Sequence, residues 1–590
     1  MERIPLKIFW EAVEQRLRAC STDELRAILR AMAQETPPTG RQAFLDKLKP
    51  LAETAAVVEQ ALRQDDLLAD IDDFIHELQA EMKDADYYEE RYGWGGYGEY
   101  DEEDSLGPYE DFVEPLTELF DRAEAVFDYG NSTLARAAYQ KLFKALDLED
   151  DYGRGISAHD LVNVDIGEAR DRYLRAVYET EAPTNRPQAL FEHMRQVQSR
   201  LFKRPLLDGI IQISPRLLPD QERFLRDWIA FLRKQSGGDA DAWLREAIRL
   251  SQGTQGLAEL AQREGKQRPR AYLDWFVALE EEGKYREVLT AAQDALQTLP
   301  DSLPIRAALA DHLCAAAARL NEAEALRSGR WEAFAAKPTL ARLLDLWDVA
   351  STSEERAGLM QQAAQHAKDD LARPSRHQQV EVMEVWVTED SFERPAWISK
   401  SVLAHAYLFA KDWDAARNAA AGEKVLGWSS SDNPQGLVIP FFLVLLSGRL
   451  PSALPPNLAQ HWQWGLQNSS GVGYWSVRSI EDDALKRLEC AYAELLSTIS
   501  LRDGQQEQLL SWCLDVAEQR ANAIVSNQHR KSYNKAAVLM TACAEVLRLR
   551  KKAKEAEAVL DGIRNRFPRH RAFQAELRAA VQRMERSQFP

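Results

Sequence analysis

The chain has 590 residues, 45% hydrophobic and 28% charged, with 28 Gly and 24 Pro. This composition excludes a collagen-like, coiled-coil-only or wholly disordered protein, and the length exceeds what one hydrophobic core holds, so several subdomains or a repeat array are expected. Asp and Glu number 93 against 74 Lys and Arg, a net charge of -19 that repels phosphate backbones on average.

Residues 1–83 read as an N-terminal helical region. Met1 to Trp10 carry charges at Glu2, Arg3 and Lys7 where a signal peptide has an apolar stretch. The most apolar run, Leu437 to Leu446, is broken by Pro440 and is half the roughly 20 residues of a spanning helix. A soluble, cytoplasmic chain with no membrane association is expected. The cysteines Cys20, Cys314, Cys490, Cys513 and Cys543 are widely spaced among apolar residues. That spacing suits neither a disulfide framework nor a zinc site, and buried free thiols in a reducing compartment are expected.

Residues 84–110 form an acidic Gly/Tyr-rich loop or linker, DADYYEERYGWGGYGEYDEEDSLGP and the two residues after it. The surrounding stretch 81–114 holds 13 acids and 2 bases. Such a segment is expected to loop out of the fold rather than pack as a helix. Gly93, Gly95 and Gly98 spell G-x-G-x-x-G, but no apolar strand precedes them. Glu99 and Asp101 to Asp104 would repel the pyrophosphate of a dinucleotide. Trp94, Tyr97 and Tyr100 are candidate partner-binding aromatics for a basic, apolar groove; the alternative is a passive linker.

Residues 111–235 read as helical hairpins. Leu116, Leu119, Phe120, Ala123 and Phe127 form one apolar stripe, and Leu134, Ala135, Ala138, Tyr139, Leu142, Phe143 and Leu146 form the next, separated by Gly130-Asn131. The acids Asp147, Glu149, Asp150 and Asp151 lack the glycine and bidentate-Glu positions of a calcium loop and read as a solvated turn.

Residues 236–447 read as helical repeats. Tyr272, Gly283, Tyr285, Ala295 and Pro300 match the spacing of a tetratricopeptide (TPR) unit of about 34 residues. Its small residues admit close helix approach and the proline stops the second helix. Val288 replaces the usual Ala, and the unit from about Ser302 keeps helical spacing without the motif. The expected fold class is therefore all-α: a TPR-like helical-hairpin solenoid of degenerate repeats.

Residues 448–590 read as a C-terminal helical subdomain with a basic end, preceded by a boundary at Gly448–Pro456 and containing a loop at Gly465–Gly473. A further hairpin is marked by Ala537, Met540, Ala544 and Leu547 and by a helix ending at Phe567-Pro568. Residues 548–590 hold 12 Arg or Lys and 5 acids. His529, Arg530, Lys531 and Tyr533, with Lys535, open a helix as a polar phrase. Arg548, Arg550, Lys551 and Lys552, with Lys554, follow one helix later. Both groups are candidates for partner binding, either an acidic protein or, less favoured, nucleic acid; few aromatics accompany the basic block, which argues against base readout. The tryptophans, among them Trp386, Trp397, Trp413, Trp428, Trp462, Trp464 and Trp475, read mostly as inter-helix packing, with some lining a groove.

Several phrases resemble the long helical region of bacterial SWIM zinc-finger proteins. They are Ser431 to Leu446 (SDNPQGLVIPFFLVLL), Pro455-Pro456-Asn457-Leu458-Ala459, Ala523 to Ala537 (AIVSNQHRKSYNKAA) and Ile563 to Arg571 (IRNRFPRHR). The stretch Ile28 to Leu48, the acidic spacer and the helix pair at Phe112–Leu146 look like the opening of that region. The family's zinc finger needs Cys-x-Cys and a distant Cys-x-His; this chain has neither, so no metal ligand is carried over. No H-E-x-x-H, G-x-S-x-G or P-loop spacing occurs, and Asp311-His312 reads as an ordinary helical pair. The expectation is a non-catalytic scaffold or adaptor that binds a protein or peptide partner, without cofactor or metal. The alternatives are a nucleic-acid-associated accessory protein using the basic block and, behind it, a motif-less enzyme.

Overall fold

The computed structural model describes residues 64–92, 109–151, 153–197, 204–372, 398–430, 432–470 and 478–586, with the backbone alone at 64–65, 84–92 and 478–483. Every regular element among these residues is helical, 23 α-helices with short 3-10 turns. They divide into two compact units, Met1–Glu259 and Leu260–Pro590.

The first unit comprises α1 (Gln64–Tyr92), α2 (Val113–Tyr129), α3 (Ser132–Leu146), α4 (Ile166–Thr180), α5 (Arg186–Gln196), α6 (Leu207–Gln212), α7 (Gln221–Leu232) and most of α8 (Gly238–Glu264), which is interrupted at Gly253. The stripes Leu116, Leu119, Phe120, Ala123, Phe127 and Leu134, Ala135, Ala138, Tyr139, Leu142 are buried where α2 packs on α3. Gly130 turns the chain between them at φ 99°, and the Asn131 side chain accepts from the Leu134 N–H to cap α3. The fully buried Arg175 of α4 donates to Glu179 and, through Nη2, to the carbonyls of Arg216 and Leu217 at 2.8 and 3.0 Å. One guanidinium thus satisfies loop carbonyls that have no helical partner.

α1 does not stop where the acidic segment begins. It continues through Asp84 to Tyr92, so the first nine residues of 84–110 are helical and not loop. The reason is local: 84–92 contain neither Gly nor Pro, and the helix ends against Gly93. The rest of the segment, with Trp94, Tyr97 and Tyr100, lies outside the described residues up to Tyr109.

The second unit opens with α9 (Arg270–Glu281), α10 (Tyr285–Thr298), α11 (Arg306–Leu320), α12 (Ala323–Ala336), α13 (Leu340–Val349) and α14 (Ser353–Ala372). Each packs on the next, α9 also on α11 and α12 also on α14. Gly283 takes φ 73° at the turn between α9 and α10, and Tyr272, Val288 and Ala295 are buried.

There follow α15 (Lys400–Phe409), α16 (Trp413–Ala421), α17 (Gln435–Ser447), α18 (Pro456–Ser469), α19 (Arg478–Ser497), α20 (Asp503–Ser526), α21 (Tyr533–Leu549), α22 (Ala553–Arg566) and α23 (Arg571–Arg586). α17 is apolar on every face and packs against α15, α16, α18, α20 and α21, as a helix without a polar stripe must. One core runs from Phe334 to Met584. Gly448–Pro456 is therefore a turn joining two helices of the same core. Gly465 to Ser469, expected as loop, belong to α18. A Cβ on Gly465 would lie 3.0 Å from Pro440 Cγ and 3.1 Å from the Gly436 carbonyl, so glycine is there for close helix approach, not for a turn.

Candidate functional site

A cavity of about 100 Å³ opens in the second unit, lined by Trp428, Ser429, Gly436, His461, Trp464, Gly465, Asn468, Arg520 and Lys535. Four separated stretches build it: the loop before α17 with the start of that helix, then α18, α20 and the first turn of α21.

The loop is held by amide side chains. Asn433 Nδ2 donates to the carbonyls of Lys424 and Leu426 at 2.7 and 2.9 Å, and its Oδ1 accepts from the Gln435 N–H. Gln435 Nε2 donates to the carbonyls of Ala420 and Glu423, and its Oε1 accepts from the Trp428 indole at 3.0 Å. Both amides are buried and bonded at both ends, which fixes the Trp428 ring. Across it, Pro440 has no N–H for the Gly436 carbonyl; Gly465 packs against that carbonyl, closing α17 onto α18.

Arg520 lies on the Trp428 ring, its Cζ 4.1 Å from the ring centre, and Nη1 donates to the Val425 carbonyl at 2.8 Å. Its residue is 7% exposed, and among the described residues it makes no ion pair. Burial brings its pKa down to about 10, still far above neutrality, so the guanidinium is charged. His461 is 5% exposed, and its Nε2 has no hydrogen-bond partner among the described residues. Burial first, and Arg520 second, push its pKa down to about 3, so the ring is neutral. Among the described residues no carboxylate lines the cavity. The result is a small, aromatic-walled space with net positive charge. Such a site attracts negative charge.

The sequence candidates scatter around this site. Lys535 of the polar phrase lines the cavity, whereas His529, Arg530 and Lys531 are exposed on the preceding turn. Tyr533 is buried, its ring edge-on to Phe573 at 5.9 Å, and is a packing residue. In the basic block, Arg550 and Lys552 both pair with Glu507, Arg550 at 3.2 Å; Arg564 pairs with Asp561 and Arg566 with Glu518. Lys551 is exposed and Arg548 half-buried. Asp150 is bound by Tyr109 and Arg154, and Asp311 and His312 face different partners, Arg342 and Glu280. Cys314, Cys513 and Cys543 are buried thiols, but Cys490 is exposed, on the outer side of α19.

Among the described residues no cluster of His, Cys, Asp or Glu could hold a metal ion, and no helix is long and apolar enough to cross a membrane. Compared with protein-family models the chain matches none, and none of the curated proteins compared matches it.

Proposed function

We propose that this chain is a non-catalytic scaffold that grips a protein or peptide partner, its helices stacked as a TPR-like solenoid of degenerate hairpins related to the helical region of SWIM zinc-finger proteins. The supporting observation is the run α9 to α14, in which each helix packs on its successor, with further contacts from α9 to α11 and from α12 to α14. Stacked two-helix layers of this kind present an extended surface, and their energetics are those of binding. The neutralisation of Arg550 and Lys552 by Glu507 weighs against the nucleic-acid alternative.

The test is cross-linking of the full chain to co-purified protein at two salt concentrations, with the cross-linked residues mapped. The reading expects one stoichiometric partner, retained at moderate salt and linked to α9–α14. Recovery of chaperones alone overturns it. Nuclease-sensitive material that leaves steeply with salt transfers the function to the basic block.

A further inference from the structure

We propose that the cavity between Trp428 and Arg520 binds a carboxylate group. A guanidinium that is 7% exposed is normally paired, because removing an uncompensated charge from water is costly. Here Arg520 uses Nη1 on the Val425 carbonyl and one face on the Trp428 indole. Among the described residues no hydrogen bond involves its Nε and Nη2, the two-pronged edge that matches a carboxylate's two oxygens.

The surroundings fit the same ligand. Lys535 adds a second cation on the cavity wall, and among the described residues no acid lines that wall to cancel either charge. Ser429 and Asn468 add hydrogen-bonding groups, while Trp464 and Trp428 supply flat apolar walls. His461, neutral and without a partner at Nε2, contributes no charge. A space of about 100 Å³ is small beside the roughly 300–1,000 Å³ of sites that enclose drug-sized ligands, and suits a carboxylate head with a few further atoms. The carboxylate could belong to a small free acid or to the C-terminus of a peptide whose remainder lies outside the cavity. The proposal stands independently of the scaffold reading, since a buried cation needs its anion whichever surface grips a partner.

The experiment follows tryptophan fluorescence of the full chain on titration with acetate, N-acetyl-trialanine acid, N-acetyl-trialanine amide and inorganic phosphate. Saturable binding of acetate or of the peptide acid is expected, weakened about tenfold or more in Arg520→Lys, which keeps the charge and loses the fork. Lys535→Gln, a partly exposed change at the start of α21, is expected to weaken the same ligand without disturbing the fold. Tighter binding of the peptide acid than of acetate assigns the site to a chain terminus; the reverse assigns it to a free acid. Amide binding equal to acid, phosphate binding tighter than either carboxylate, or affinities unchanged in Lys535→Gln and Arg520→Lys overturn the proposal. So does the absence of any saturable response.

Discussion

The wholly buried Glu545 carboxylate, on α21, closes the N-terminus of α18 at Asn457. Its Oε1 accepts from the Asn457 backbone at 3.2 Å and from Asn457 Nδ2 at 2.7 Å, and its Oε2 accepts from the Leu458 N–H at 2.8 Å. Asn457 Nδ2 also reaches the Ala580 carbonyl, and Arg583 donates to Asn457 Oδ1 at 3.2 Å, which brings α23 into the same joint. Pro455 and Pro456 supply no N–H of their own, so the first donors of α18 are those that Glu545 takes.

Removing that carboxylate leaves the Asn457 and Leu458 N–H groups buried and unpaired. Glu545→Ala is expected to cost about 3 kcal/mol of stability and Glu545→Gln about 1, since the amide still accepts through one oxygen. Urea unfolding measures both; a Glu545→Gln cost near zero beside a large Glu545→Ala cost would show that filling the space, and not accepting with both oxygens, is what the side chain does.

Two glycines in helices are expected to respond oppositely to alanine. Gly465→Ala forces a methyl against Pro440 and the Gly436 carbonyl and is expected to cost about 1–3 kcal/mol despite alanine's better helix propensity. Gly562 in α22 has nothing within 4 Å of an added Cβ, so Gly562→Ala is expected to stabilise by about 0.5–1 kcal/mol. Thermal melts of the pair decide it, and a stabilised Gly465→Ala would refute the close-approach account.

Acid is expected to destabilise the second unit through His405 and His461. The Ser469 carbonyl accepts only, so His405 Nε2 carries the proton, 3.3 Å away, and Nδ1 accepts from the Tyr492 hydroxyl at 2.7 Å. Burial lowers both histidines to about 3. A depressed folded value means stability is full above the unfolded value near 6.5 and is lost as the pH falls from there toward 3. Urea midpoints are therefore expected to drop between pH 7 and pH 4, with a shallower drop in His461→Gln; an unchanged slope in that variant would exclude the residue from the effect.

Glu246, in the first unit, works in the other direction. It accepts from the Asp208 N–H at 3.0 Å at the start of α6, while burial raises its pKa to about 7. A raised folded value contributes stability below about 4.5 that is lost as the pH rises through 7, at most about 3 kcal/mol. Glu246→Gln is expected to remove this loss, so that the variant gains on the parent chain as the pH is taken from 5 to 8 in denaturant titrations.

Much of the helical framework was legible because it rests on local patterns. The stripes at 116–127 and 134–142 needed only periodicity, and Gly283 between Tyr272 and Pro300 placed a hairpin turn. Gly465 was misleading for a physical reason: glycine in a turn and glycine under a neighbouring helix look alike until Pro440, 25 residues earlier, is seen against it. The helical course of Asp84 to Tyr92 was hidden by reading the segment's composition as a whole, when its glycines begin only at Gly93. The cavity was half visible. Trp428, Trp464 and Lys535 stood out as aromatics and as part of a basic phrase. Arg520 and His461 belong to no motif, because what marks them is burial without a counter-charge, a property that arises only when four distant stretches meet.

The all-round apolarity of α17 has a consequence during synthesis. Its packing partners α18, α20 and α21 are encoded downstream, and the last of them ends at Leu549. At about 5–20 residues per second the ribosome takes on the order of 10 s to supply them. Throughout that interval the Leu437–Leu446 stretch has only the upstream α15 and α16 to lie against, and its remaining apolar faces are the part of the nascent chain most in need of a holding chaperone.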